Sequence, residues 1–159
     1  MFDEIDIHVI LSKSRLPTRE QWQQAITEFG FALRLDGDFD PTKSSALMRC
    51  SYQGNATELR YALALLEPAW LEQAAIKSAG DRDSRVTLTS SGFLDMAGWM
   101  SVIEAASVLC AISGGILIYD SGDDVHVVEA DQAMDYARYE VEDLQTVMEA
   151  LANSSHTRA

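Results

Sequence analysis

The stretch 93–112, FLDMAGWMSVIEAASVLCAI, narrows the possible folds more than any other part of the chain. It is long enough for about five helical turns. Leu94, Ala97, Met100, Ile103, Ala106, Leu109, Ala111 and Ile112 make it apolar over much of its girth. A helix of that kind has to be buried, and the flanking segments supply a sheet to bury it against. Upstream, Val86 and Leu88 alternate with Arg85, Thr87 and Thr89, the pattern of a strand buried on one face. Downstream, Gly114-Gly115 stops the helix, Ile116 to Tyr119 reads as a short buried strand, and Val125 to Val128 reads as its hairpin partner across Ser121–Asp124.

The first half repeats the theme. IDIHVIL at 5–11 is a strand, and Thr18 opens T-R-E-Q, a capping box before Trp22, Ala25, Ile26 and Phe29 on one helical stripe. Gly30 ends that helix, and Phe31, Leu33 and Leu35 alternate as a second strand. SALMRCSY at 45–52 is a third strand, closed by a turn at Gln53-Gly54-Asn55. ATELRYALALL at 56–66 has the composition of a helix, but the strand before it needs a hairpin partner, which favours a strand at 57–63. A short helix from Pro68 to about Ser78 follows, with Trp70, Leu71 and Ala74 inward. The last helix spans Asp131 to Leu151, with Ala133, Ala137, Val141, Leu144 and Met148 as its inner stripe. Trp22, Trp70 and Trp99 are expected in the core. The fold class is α+β: a single domain over 1–151, an antiparallel or mixed sheet with helices on one face, and a flexible tail at 152–159. The strand-helix-hairpin unit occurs twice, near 5–50 and 85–128, which suggests two ferredoxin-like halves.

Charge separates the function classes. Twelve basic and twenty-five acidic residues give a net charge of -13. Direct binding to nucleic-acid phosphates or to an anionic membrane needs clustered Lys and Arg, so both are disfavoured. No apolar run reaches the length that crosses a bilayer, and the acidic start MFDEIDIHVIL does not read as a signal peptide, so a cytoplasmic location is expected. Excess acid can serve solubility alone. Here, however, residues 119–149 hold ten acids against the single base Arg138, a net of -9. A field concentrated in that way favours encounter with a basic protein.

Motifs for chemistry are lacking. Gly114-Gly115 runs from helix to strand, the reverse of a phosphate-binding loop. His8, His126 and His156 have no ligand partner at helical spacing. Asp36, Asp38 and Asp40 resemble the start of a calcium loop, but its twelfth position is Leu47 in place of a bidentate Glu. Cys50 and Cys110 are too few for a disulfide framework and read as buried thiols. Cys50, His126 and an Asp could form a nucleophilic triad only if the fold joined them. No catalytic residue, cofactor or metal is therefore expected. The candidate contact residues are Asp120, Asp123, Asp124, Glu140 and Asp143, with Tyr136 and Tyr139 as aromatic anchors. Tyr136 and Tyr139 are three apart on the helix, so one of the two is expected to be structural.

The segments LPTREQWQQAITEFGFALRLDGDFD, GDRDSRVTLTSSG and GGILIYDSGDDVHVVEADQAMDYAR resemble a group of small uncharacterised acidic bacterial proteins. That resemblance implies an immunity protein that neutralises a basic, nuclease-like toxin domain, with carboxylates standing in for phosphates. A soluble adaptor or regulatory subunit without a toxin, and an enzyme of unknown class, remain the alternatives.

Overall fold

The computed structural model describes residues 5–73, 76, 79–90, 96–120, 122 and 124–156. Strand β1 (Ile5–Leu11) leads through a 3-10 turn at Lys13–Arg15 to helix α1 (Arg19–Glu28). Strands β2 (Leu33–Leu35), β3 (Ser45–Tyr52) and β4 (Asn55–Leu65) follow, then the short helix α2 (Pro68–Gln73) and strand β5 (Ser84–Ser90). The chain ends with helix α3 (Met96–Ser113), the hairpin β6 (Ile116–Asp120) and β7 (Val125–Glu129), a 3-10 turn at Ala130–Gln132, and helix α4 (Ala133–His156).

The strands form one seven-stranded sheet in the order β2-β3-β4-β5-β1-β6-β7, with every neighbouring pair antiparallel. The two strand-helix-hairpin units are therefore interleaved rather than set side by side as ferredoxin-like halves. β1, from the first unit, lies between β5 and β6 of the second, and α3 carries the chain from one flank of β1 to the other. One apolar cluster joins both units, which makes the fold a single α+β domain.

Local chemistry accounts for the elements. Thr18 Oγ1 accepts from the Gln21 N–H at 3.1 Å and the Gln21 side chain accepts from the Thr18 N–H at 2.9 Å, closing the expected capping box. The β3–β4 hairpin turns on Gln53 (φ 50) and Gly54 (φ 82), two left-handed residues that match the twist of the flanking strands. β4 is a strand despite its Ala and Leu content because it pairs on both edges, with β3 and β5. Alternation then sends Thr57, Leu59 and Tyr61 into the core.

α3 packs on β1, β3, β4, β5 and β6 and is flanked by α1 and α4. By length and composition it is apolar enough to cross a membrane, which corrects the expectation that no run reaches that length. Its apolarity matches a core position, because Val102, Ala105, Ala106, Val108, Leu109 and Cys110 are all fully buried. Gly115 lets this end of the helix close on β1: a Cβ there would lie 2.7 Å from the Ile10 carbonyl oxygen. Trp22 is fully buried, donates its Nε1–H to the Ala105 carbonyl at 3.1 Å, and packs with Phe39 and Tyr61.

Several boundaries differ from expectation. Of the second strand only Leu33–Leu35 pairs, leaving Phe31 half-buried beside the core. α4 continues to His156 instead of ending at Leu151, so residues 152–156 belong to the helix rather than to a tail. α2 is helical to Gln73; Ala74, Leu94 and the side chain of Met148 lie outside the described residues. While α1, α3 and α4 cover one face, α2 reaches the other. There Trp70 and Leu71 join Ile10, Ile116 and Ile118 in a small separate cluster, so Trp70 is not part of the main core.

Candidate functional site

The acidic segment forms the β7 end of the sheet and the helix packed beside it. Antiparallel register places Ile118 opposite Val127, Tyr119 opposite His126 and Asp120 opposite Val125. Alternation turns His126 and Val128 toward α4 and leaves Val125, Val127 and Glu129 on the opposite face, where all three are exposed. Ala133, Ala137 and Val141 of α4 are buried against the core.

Between hairpin and helix lies an aromatic junction. The His126 ring meets Tyr119 edge-on at 5.7 Å and Tyr136 at 6.0 Å. Glu140, one turn after Tyr136, is half-buried beside it. Burial pushes the Glu140 carboxyl above the usual carboxylate range, His126 opposes that, and the Asp143 carboxylate adds to it. The Tyr119 phenol is raised by burial and then by Glu140 and Asp120. Tyr136 is raised chiefly by burial, with Glu140 as the next cause. Glu140 and Asp143, three apart on α4, thus stand at the Tyr119–His126–Tyr136 junction, while Asp120, paired with Val125, is on the other face of the hairpin.

The other candidate residues are placed differently. Tyr139 is exposed, on the outward stripe of α4 with Asp135 and Glu142, whereas Tyr136 packs inward. Asp124 is exposed at the start of β7, where its Oδ1 accepts from the Val125 N–H at 2.9 Å. Asp120 Oδ1 accepts from the Gly122 N–H at 2.8 Å and shapes the turn. Asp123 lies outside the described residues. Glu149 belongs elsewhere, lining a groove of about 440 Å³ with Tyr52, Gln53 and Met100.

Four of the described bases lie elsewhere on the sheet. Strand alternation puts Arg34, Arg49, Arg60 and Arg85 on the face of β2–β5 opposite the helices. Arg49 lies 3.7 Å from Glu58, Arg85 stacks over Trp70 at 4.6 Å, and Arg82 bonds the Gly114 carbonyl at 2.8 Å. Within the acidic segment Arg138 lies 3.9 Å from Asp135 on the same helix. The open face also holds a shallow concavity of about 750 Å³ lined by Asp6, Ser45, Leu47, Arg60, Thr87 and Thr89.

The remaining chemical candidates are held apart. Cys50 is buried in β3, with four strands between it and His126 in β7, so the two cannot share a catalytic centre. His8 projects to the open face, where Nδ1 is 2.9 Å from Thr87 Oγ1 and the ring meets Trp70 at 5.2 Å. His126 projects to the helix face, so the two histidines cannot join either. Asp40 accepts from the Thr42 N–H and hydroxyl, closing its own turn. Cys110 is buried, its thiol pushed up to about 12 by burial.

Sequence reasoning weighed His126 only as a metal ligand or a triad member; its place at the junction follows from the alternation in VHVVE, which puts it on the face of Val128. Glu104, a carboxyl inside the apolar helix α3, was overlooked. It is 2% exposed, its Oε2 has no hydrogen-bond partner among the described residues, and burial raises it to about 8. The chain matches no protein-family model, no curated protein and no solved structure.

Proposed function

We propose that this chain is a protein-binding protein whose acidic β6–β7–α4 end captures a basic partner. The observation that supports it most directly is that Asp120, Asp124, Glu140 and Asp143 all belong to the β6–β7–α4 end of the sheet, while Arg34, Arg49, Arg60 and Arg85 are on the open face of β2–β5. Carboxylates at one end of a molecule accelerate encounter with a cationic surface, and Tyr139 beside them offers an aromatic anchor. Immunity against a basic toxin domain in the cytoplasm fits this chemistry. The carboxylates would occupy the positions of substrate phosphates on a nuclease-like face and block it.

The test is affinity capture from native cells at low and high salt, with the natural chain and with Asp120→Lys/Glu140→Lys/Asp143→Lys. The expected result is a basic protein retained by the natural chain at low salt, lost at high salt, and lost with the variant. Circular dichroism checks that the variant keeps its fold. Identical capture by both chains would remove the proposal.

A further inference from the structure

The two edges of the sheet are finished differently. At the β2 edge, the Gln23 side chain acts as a surrogate strand. Its Nε2 donates to the Leu33 carbonyl at 3.0 Å and its Oε1 accepts from the Leu35 N–H at 2.6 Å. Arg19 adds a bond to the Leu35 carbonyl at 3.2 Å. That edge is closed against another chain.

The β7 edge has no such cover among the described residues. The Val125 N–H bonds the Asp124 carboxylate, so it points away from β6. Antiparallel ladders alternate, so the backbone N–H and C=O of Val127 and the N–H of Glu129 point the same way, while the Glu129 carbonyl caps the 3-10 turn at Ala130–Gln132. No described side chain bonds the backbone of either. Val125 and Val127 are 43% and 48% exposed, and they carry the apolar row of Ile118 out to the rim. Folded proteins usually protect such an edge with Lys, Pro or a covering element. Here the exposed groups around it are carboxylates, those of Asp120, Asp124, Glu129 and Asp131.

We infer that β7 is a strand-addition site for an extended, basic segment of a partner protein. The inference rests on the basic-partner reading above and specifies how that partner docks. The incoming strand pairs with the N–H and C=O of Val127 and the N–H of Glu129 through main-chain bonds, and its apolar residues extend the Val125–Val127 row. Its Lys or Arg residues meet the flanking carboxylates. A second copy of this chain is disfavoured as occupant, because pairing two β7 edges brings two sets of Asp124, Glu129 and Asp131 together.

The probe is a synthetic peptide of about seven residues alternating Lys with Val, tested on the full chain by amide hydrogen exchange and by titration. The control is the same peptide with its central Val replaced by Pro. The expected result is slowed exchange confined to 125–129 and binding at least about tenfold tighter than the control. Val127→Pro removes an outward N–H while sparing the β6 ladder, and should abolish the protection with the fold retained. Equal binding of both peptides without protection at 125–129 would overturn strand addition and leave the basic-partner reading standing. No binding of either peptide at low salt would count against both. Protection of β7 without peptide, with a doubled solution mass, would assign the edge to self-association and overturn the inference.

Discussion

The two faces of the sheet are built from the same strands and do opposite work. Along β5, Val86, Leu88 and Ser90 are fully buried beneath the helices, while Arg85, Thr87 and Thr89 look outward to a face that α2 covers at one end. The covered face gathers nearly all the large apolar side chains into one cluster. The open face carries Arg34, Arg49 and Arg60 toward β2 and ends at β7 in two exposed valines among carboxylates. The difference teaches that stability is concentrated on one side. The other side is free to hold charges of opposite sign at its two ends, because charges there stay hydrated and cost little.

The largest test of that contrast lies in the core. Trp22→Ala removes a fully buried ring and its bond to the Ala105 carbonyl, and should cost about 4 kcal/mol in denaturant unfolding. On the open face, Leu47→Ala, at a residue 50% exposed, should cost less than about 0.5 kcal/mol. Similar losses from both would erase the distinction between the faces.

Glu104 sharpens it further. Its carboxyl is raised from 4.5 to about 8 in the folded state, so between those values the folded chain holds a proton that the unfolded chain releases. Its stability contribution is fully present below about 4.5 and is lost as pH rises through about 8. Glu104→Gln cannot ionise and should therefore gain on the natural chain as pH rises, by on the order of 3 kcal/mol at pH 8 and little at pH 5. Parallel stability-pH curves for the two proteins would show that the covered face does not hold this acid neutral.

Charge at the edges comes next. Against the captured partner, Asp120→Lys/Glu140→Lys/Asp143→Lys should slow association about tenfold at low salt, an effect that fades as salt is added. Arg34→Glu/Arg49→Glu should leave the association rate unchanged or faster. Stopped-flow measurements that found both sets equally damaging would deny the β7 end its special role. The smallest effect is expected for Val125→Thr/Val127→Thr, which should alter stability by less than about 0.5 kcal/mol while weakening strand addition.

Much of the fold was legible because it is written in local periodicity. The capping box at Thr18, the Gln53-Gly54 turn, the alternation at 85–89 and the apolar girth of 96–113 each report a nearest-neighbour constraint. β4 was harder, since the composition of ATELRYALALL favours a helix until two neighbouring strands compete for its backbone. The candidate site was legible as a density of charge and not as a shape. Tyr136 and Tyr139, three residues apart, stand at different angles around α4, so that one meets His126 and the other faces solvent.

The amino-acid order by itself determined most of the elements, the α+β class and the charge imbalance of 119–149, since these depend on residues adjacent in the chain. Tertiary structure alone decided that β1 enters between β5 and β6, that Gln23 closes one sheet edge while β7 stays open, and that Glu104 is held away from water. Those outcomes depend on contacts between segments tens of residues apart. Such contacts are fixed by which packing buries the most apolar surface, and no local pattern encodes that.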